Sequence, residues 1–100
     1  MPLPGLSPLV LVLASLADGP KHGYAMIREI EEMAGVTLGP GTLYGAIARL
    51  DEEELIQPLQ QKERRQPYRI TAAGVRALRT HLAAMHQLSD TGLRKLEARS

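Results

Sequence analysis

One hundred residues set the scale of a single domain, and 44% hydrophobic residues with a net charge of +1 exclude both a disordered chain and one steered by a global field. The absence of cysteine excludes disulfides, thiolate metal sites, Fe–S ligation and cysteine nucleophiles. The only aromatics are three tyrosines, so the core must be aliphatic.

Ser7 followed by Pro8 reads as a helix cap with proline in the first turn. Leu9 to Ala17 is apolar nearly all round until Asp18-Gly19-Pro20 stops it. A short helix apolar on every face is buried on every face, which points to a partner subunit covering one side. A second helix fits His22 or Gly23 to Ala34, with Met26, Ile27, Ile30, Met33 and Ala34 on one stripe and Gly35 as its stop. A third starts at Gly39-Pro40, and Leu43, Ala46, Ile47 and Leu50 form its inward stripe. Its opposite face carries Gly41, Thr42, Gly45, Ala48, Arg49 and Glu52, with Tyr44 on the flank. A face that small lets something approach closely.

The helical period then stops. Ile56 to Gln60 and Tyr68 to Thr71 are β-capable runs around a polar, basic tip, and Pro58 requires an edge strand or a bulge. Thr71 caps a last helix in which Val75, Leu78, Leu82 and Met85 keep 3-4-3 spacing. Ser89 to Gly92 interrupts that pattern, and Leu93 and Leu96 resume it after a kink or break. The fold expected is mainly α with a two-stranded β-hairpin, a winged helix-turn-helix with a long terminal helix added.

Charge is local. Residues 1–50 sum to −1 and residues 51–100 to +2. Asp51 to Glu54 is an acidic run, whereas Lys62 to Arg79 carries six basic groups and one acid. Met1 to Leu6 lacks the Lys or Arg of a secretory leader, and the longest apolar run, Leu9 to Ala14, is far short of the roughly 18–20 residues that span a bilayer. A cytoplasmic protein without a membrane partner is expected.

His22-Gly23-Tyr24, Gly39-Pro40-Gly41-Thr42-Leu43-Tyr44, Arg49-Leu50-Asp51-Glu52-Glu53 and Tyr68-Arg69-Ile70-Thr71-Ala72-Ala73-Gly74, in that order, resemble the signature of PadR-family transcriptional regulators. The resemblance covers about residues 6 to 82 and implies a bacterial or archaeal winged-helix repressor acting as a homodimer. Residues 1–71 would form the DNA-binding domain and 72–100 the dimerisation helix. Two departures stand out. Glu54 occupies a position where the family usually has glycine, so the third helix is expected to run longer or to end without a left-handed residue. The tip from Lys62 to Gln66 is short and lacks the usual glycine. With no tryptophan, the aromatic sandwich some relatives use for flat drugs does not carry over.

The site expected is a DNA interface. Gly41, Thr42, Tyr44, Gly45 and Arg49 would enter the major groove. Lys62, Arg64 and Arg65 at the tip, with Arg69 behind them, would meet the minor groove and phosphates. His22 and Tyr24 would lie near phosphate at the start of the second helix, where His22 serves equally well as a local cap. Lys21 reads as a spare charge at the rim, and Tyr68 as core rather than contact. A solvated helix face and a solvated charge run are the bland alternatives. The dimer seam would take Leu9, Leu13, Val75, Leu78, Leu82 and Met85, and an apolar effector would lie among Leu9, Leu13, Leu78 and Met85. Enzyme chemistry lacks its parts: His81 and His86 are five apart and cannot share a metal as an i, i+4 pair would. No nucleophile elbow, phosphate loop or dinucleotide fingerprint occurs. No cofactor or metal is expected. The competing class is a winged helix used only as a protein-interaction module.

Overall fold

The structure, a computed structural model, describes residues 6–99; the leader reading rests mostly on residues 1–5, which lie outside the described residues. Its elements are α1 (Pro8–Ser15), β1 (Lys21–His22), α2 (Gly23–Ala34), α3 (Pro40–Glu52), β2 (Ile56–Pro58), β3 (Pro67–Ile70) and α4 (Ala72–Glu97). No described helix is long and apolar enough to cross a membrane.

The caps follow the sequence signals. The Ser7 hydroxyl accepts from the Leu9 amide, and Pro8 opens α1. Gly35 ends α2 with φ +67°, the left-handed conformation that glycine adopts at no steric cost. Thr71 caps α4 by accepting from the Gly74 amide at 3.0 Å, while its hydroxyl donates to the Glu54 carbonyl at 2.8 Å.

Helix α1 is central, packed by α2, α3 and α4 of its own chain. Leu11, Val12, Leu13 and Leu16 join Met26, Ile30, Leu43, Ala46, Ile47, Leu50, Ile56 and Leu78 in one core. Intrachain helices cover most of α1 and leave Leu9, Val10 and Ala14 only partly buried. Ser15, the buried polar side chain in this core, donates to the Val12 carbonyl at 2.7 Å, so its burial leaves no orphan.

The expected two-stranded hairpin is a three-stranded antiparallel sheet in the order β1-β3-β2. Lys21 pairs with Tyr68 and His22 with Pro67, which welds the start of the second helix to the wing. Pro58 sits on edge strand β2, opposite Tyr68. Helix α4 is continuous through Ser89–Gly92, against the expected break. The Asp90–Arg94 ion pair at 2.9 Å bridges one turn there, and Gly92 alone costs about 1 kcal/mol without a proline to stop the helix. Helix α3 ends at Glu52, and Glu54 takes φ +61°, so the left-handed residue is present without glycine. Gly74 is required for space: a Cβ there would lie 2.1 Å from the Leu55 carbonyl oxygen.

Candidate nucleic-acid interface

Inward, α3 anchors itself through Leu43, Ala46, Ile47 and Leu50, and this fixes what it turns outward. Gly41, Thr42, Gly45, Ala48 and Arg49 are exposed, and a Cβ at Gly41 or Gly45 would meet no atom within 4 Å. The strip of small residues read from the sequence is exposed. Arg49 is not idle on it: its guanidinium lies 3.5 Å from Glu53, one turn on.

Tyr44 projects from the flank of α3 and is 54% exposed, and its hydroxyl reaches over Gly23. A Cβ at Gly23 would sit 2.6 Å from that oxygen, so the glycine of His22-Gly23-Tyr24 is what lets α3 and the start of α2 approach. Tyr24 stands beside them, 67% exposed.

The wing tip is a two-residue turn. Lys62 and Arg65 exchange backbone hydrogen bonds at 3.0 and 2.9 Å, and between them Glu63 and Arg64 have φ +51° and +66°. Positive φ at both central positions is the type I′ hairpin geometry, for which Asn-Gly is preferred. Non-glycine residues there cost roughly 1–2 kcal/mol each. Behind the tip, the Gln66 carboxamide donates to the carbonyls of Leu59 and Pro67 at 2.6 and 2.9 Å and fixes the strand spacing. Arg69 points away from the tip, with its guanidinium on Gln57 of β2.

Two adjoining notches bring these segments together. One, of about 300 Å³, is lined by His22, Lys62, Glu63, Arg65 and Pro67. The other, of about 290 Å³, is lined by His22, Gly23, Tyr24, Tyr44, Gln61, Arg64, Arg65 and Gln66. His22, Tyr24, Tyr44, Lys62, Arg64 and Arg65 thus converge from three separate stretches of sequence. Arg69 lines neither notch, and Arg49 and Thr42 lie along the α3 strip outside both. Gln61 and Gln66 were not singled out by sequence reasoning, since two glutamines in a polar tip carry no periodic or charge signal.

His22 is a cap and more: its Nδ1 accepts from the Ala25 amide at 3.3 Å, and its Nε2 lies 3.1 Å from Nη1 of Arg65. Lys21 is no spare charge. Its ammonium donates to the Ser15 carbonyl at the end of α1 at 2.7 Å and pairs with Asp18 at 2.5 Å and Glu29 at 2.9 Å. Partial burial opposes that charge, but hydrogen bonds to Asp18 and Glu29 outweigh it and raise the Lys21 pKa; the same bond holds the Asp18 carboxyl below its usual range. Burial, with Asp51 nearby, raises the phenol of Tyr68, which is half-buried against the core.

Of the expected seam residues, Leu13 and Leu78 are buried within the chain's own core. Leu82 is 42% exposed, Leu9, Val75 and Met85 are partly exposed, and Leu88, Leu93 and Leu96 are exposed farther along α4. The stripe on α4 is thus covered by α1 in its first half and bare in its second. The apolar cleft nearest the expected effector position, about 260 Å³, is lined by Ala17, Ile70, Val75, Leu78, Arg79 and Leu82. It shares only Leu78 with the four residues expected, because Leu13 is spent on the core.

Three helices, a sheet-borne wing and an open α3 face define a winged helix-turn-helix protein. The family model described as the transcriptional regulator PadR-like family matches residues 12–80. The chain belongs to that family. It is 49% identical over 80 residues to an uncharacterized 37.1 kDa protein in transposon TN4556 of Streptomyces fradiae, a match spanning 80% of this chain and 23% of that protein. The chain therefore spans about a quarter of that relative's length. Among solved structures, it is similar to a PadR family transcriptional regulator from Eggerthella lenta at 32% identity and TM-score 0.75, covering 89% of this chain and 80% of the other. It also resembles a transcriptional regulator from Clostridium thermocellum at 26% identity and TM-score 0.76, covering 88% and 87%. The fold is shared with a PadR family transcription regulator from Clostridium difficile at 21% identity and TM-score 0.81, covering 91% and 99%.

Proposed function

We propose that this chain binds duplex DNA as a homodimer on an inverted-repeat operator and represses by blocking polymerase. The observation that carries this reading is the meeting of His22, Tyr24, Tyr44, Arg64 and Arg65 in one basic notch beside the open strip of α3. Two copies of α3 would enter successive major grooves about 34 Å apart, with Gly41 and Gly45 admitting the groove floor and Thr42, Tyr44 and Arg49 reaching bases or phosphate. Lys62, Arg64 and Arg65 would meet the flanking minor grooves and their phosphates, and Arg69 would lie farther back on phosphate. The bare half of α4 supports the dimer, with Leu82 and Met85 as its seam alongside Leu9 and Val75. An apolar effector would occupy the cleft between the turn after α1, β3 and α4, where Ile70 links it to the wing.

Gel shifts on the upstream region of its own gene test the reading. Affinity should fall steeply with salt as phosphate contacts release counterions. Arg64→Ala and Arg65→Ala should weaken binding to every sequence and flatten that slope; Tyr44→Ala should cost on the order of 1–3 kcal/mol at the operator alone. Leu82→Glu should give monomer or aggregate in light scattering. Weak, salt-insensitive retention on heparin would favour the protein-interaction module instead.

A further inference from the structure

We propose that His22 and Arg65 grip one phosphate oxygen of the bound duplex together, and that binding fixes the His22 imidazole in its Nε2–H tautomer. This rests on the DNA-binding reading above. Two donors approach the two ring nitrogens of His22: the Ala25 amide faces Nδ1 at 3.3 Å, and Arg65 Nη1 faces Nε2 at 3.1 Å. A neutral imidazole has one acceptor nitrogen, and neither a backbone amide nor a guanidinium can accept. Only one of the two contacts is a hydrogen bond at any moment.

Each tautomer leaves a defect. With the proton on Nδ1, Arg65 is bonded but the cap of α2 is lost, and two N–H groups face each other at Ala25. With the proton on Nε2, the cap is made, and the imidazole and guanidinium N–H groups share the same space with nothing to accept them. A phosphate oxygen placed there accepts from both, and charge-assisted bonds of this kind are the strong ones. The notch has the matching sign, with Lys62 and Arg65 against the single carboxylate of Glu63, and Arg64 on the adjoining wall. The adjoining notch, which shares His22 and Arg65, carries the exposed Tyr24 and Tyr44. A polymer phosphate lying along α2 and the wing passes both donors, which stand 3.1 Å apart.

The test is imidazole ¹⁵N NMR of the full chain in mildly alkaline buffer, alone, with an operator duplex and with inorganic phosphate. Alone, both His22 nitrogens should show averaged shifts. With duplex, Nε2 should become fully protonated in character and Nδ1 fully acceptor. His22→Asn, whose Oδ1 can still cap Ala25, should fold as the wild type and lose about tenfold in affinity. Arg65→Gln should then cost less in the His22→Asn background than alone, since the two share a phosphate. Wild-type affinity in a folded His22→Asn protein, or unchanged ¹⁵N shifts on duplex binding, would overturn this proposal alone. A tautomer shift with inorganic phosphate but not with duplex would overturn it too. A wild-type chain that binds no duplex at any salt would bring down the DNA-binding reading and this proposal together.

Discussion

The two faces of α3 are built from the same thirteen residues under opposite rules. Inward, four aliphatic side chains lock into a core where every one is at least nine-tenths buried. Outward, two glycines, a threonine and an alanine leave a strip where an added Cβ at either glycine touches nothing. Folding stability depends on the first face, and glycine in the second lowers it, because each helical glycine costs about 1 kcal/mol against alanine. A bare strip at that cost is what the proposed approach of DNA to α3 requires.

That contrast can be broken from either side. Leu50→Ala should produce the largest effect, a loss of about 2–5 kcal/mol in denaturant unfolding, because Leu50 is fully enclosed and its removal leaves a cavity. A loss below 1 kcal/mol would mean the core is looser than described. The wing tip sharpens the same division. Glu63→Asn with Arg64→Gly relieves two left-handed non-glycine residues and should stabilise the fold by about 1–2 kcal/mol while weakening duplex binding. Thermal melts and gel shifts on the same samples would check the opposite signs.

The smallest effect concerns the Lys21 clamp between α1 and the sheet. The Asp18 carboxyl is lowered, so its contribution is present above the ordinary 3.8 and is lost as pH falls through its native value. The Lys21 ammonium is raised, so its contribution is present below 10.5 and is lost as pH rises through its native value. The half-buried Tyr68 phenol, raised from 10.0, adds to the alkaline limb. Melting temperature should therefore be flat across neutral pH and fall at both ends, and Lys21→Met should shallow both falls. A wild-type profile unchanged by Lys21→Met would show that the clamp is only a surface contact.

Local signals were legible and distant ones were not. The bounds of α2 followed from Gly35 and the apolar stripe, and the open face of α3 from residue size alone. Strand β1 was invisible because two residues have no period; it exists only through pairing with Tyr68 and Pro67, more than forty positions away. The role of Lys21 was hidden for the same reason, since its partners belong to α1, the following turn and α2. Ser89–Gly92 looked like a break because cap residues cluster there, yet an i, i+4 ion pair holds the helix. At the site, the charges of Lys62, Arg64 and Arg65 were plain, but their meeting with His22 and Tyr44 needed the sheet.

The measurement that bears most directly on the outward face is Gly45→Leu, followed by unfolding and operator binding on one preparation. The leucine enters open space, so the melting transition should match the wild type or rise slightly from the improved helix propensity. Operator affinity should collapse, because the side chain fills the gap into which the groove floor must come. A folded Gly45→Leu protein that binds its operator at full affinity would contradict the account and move the contact to another face of the molecule.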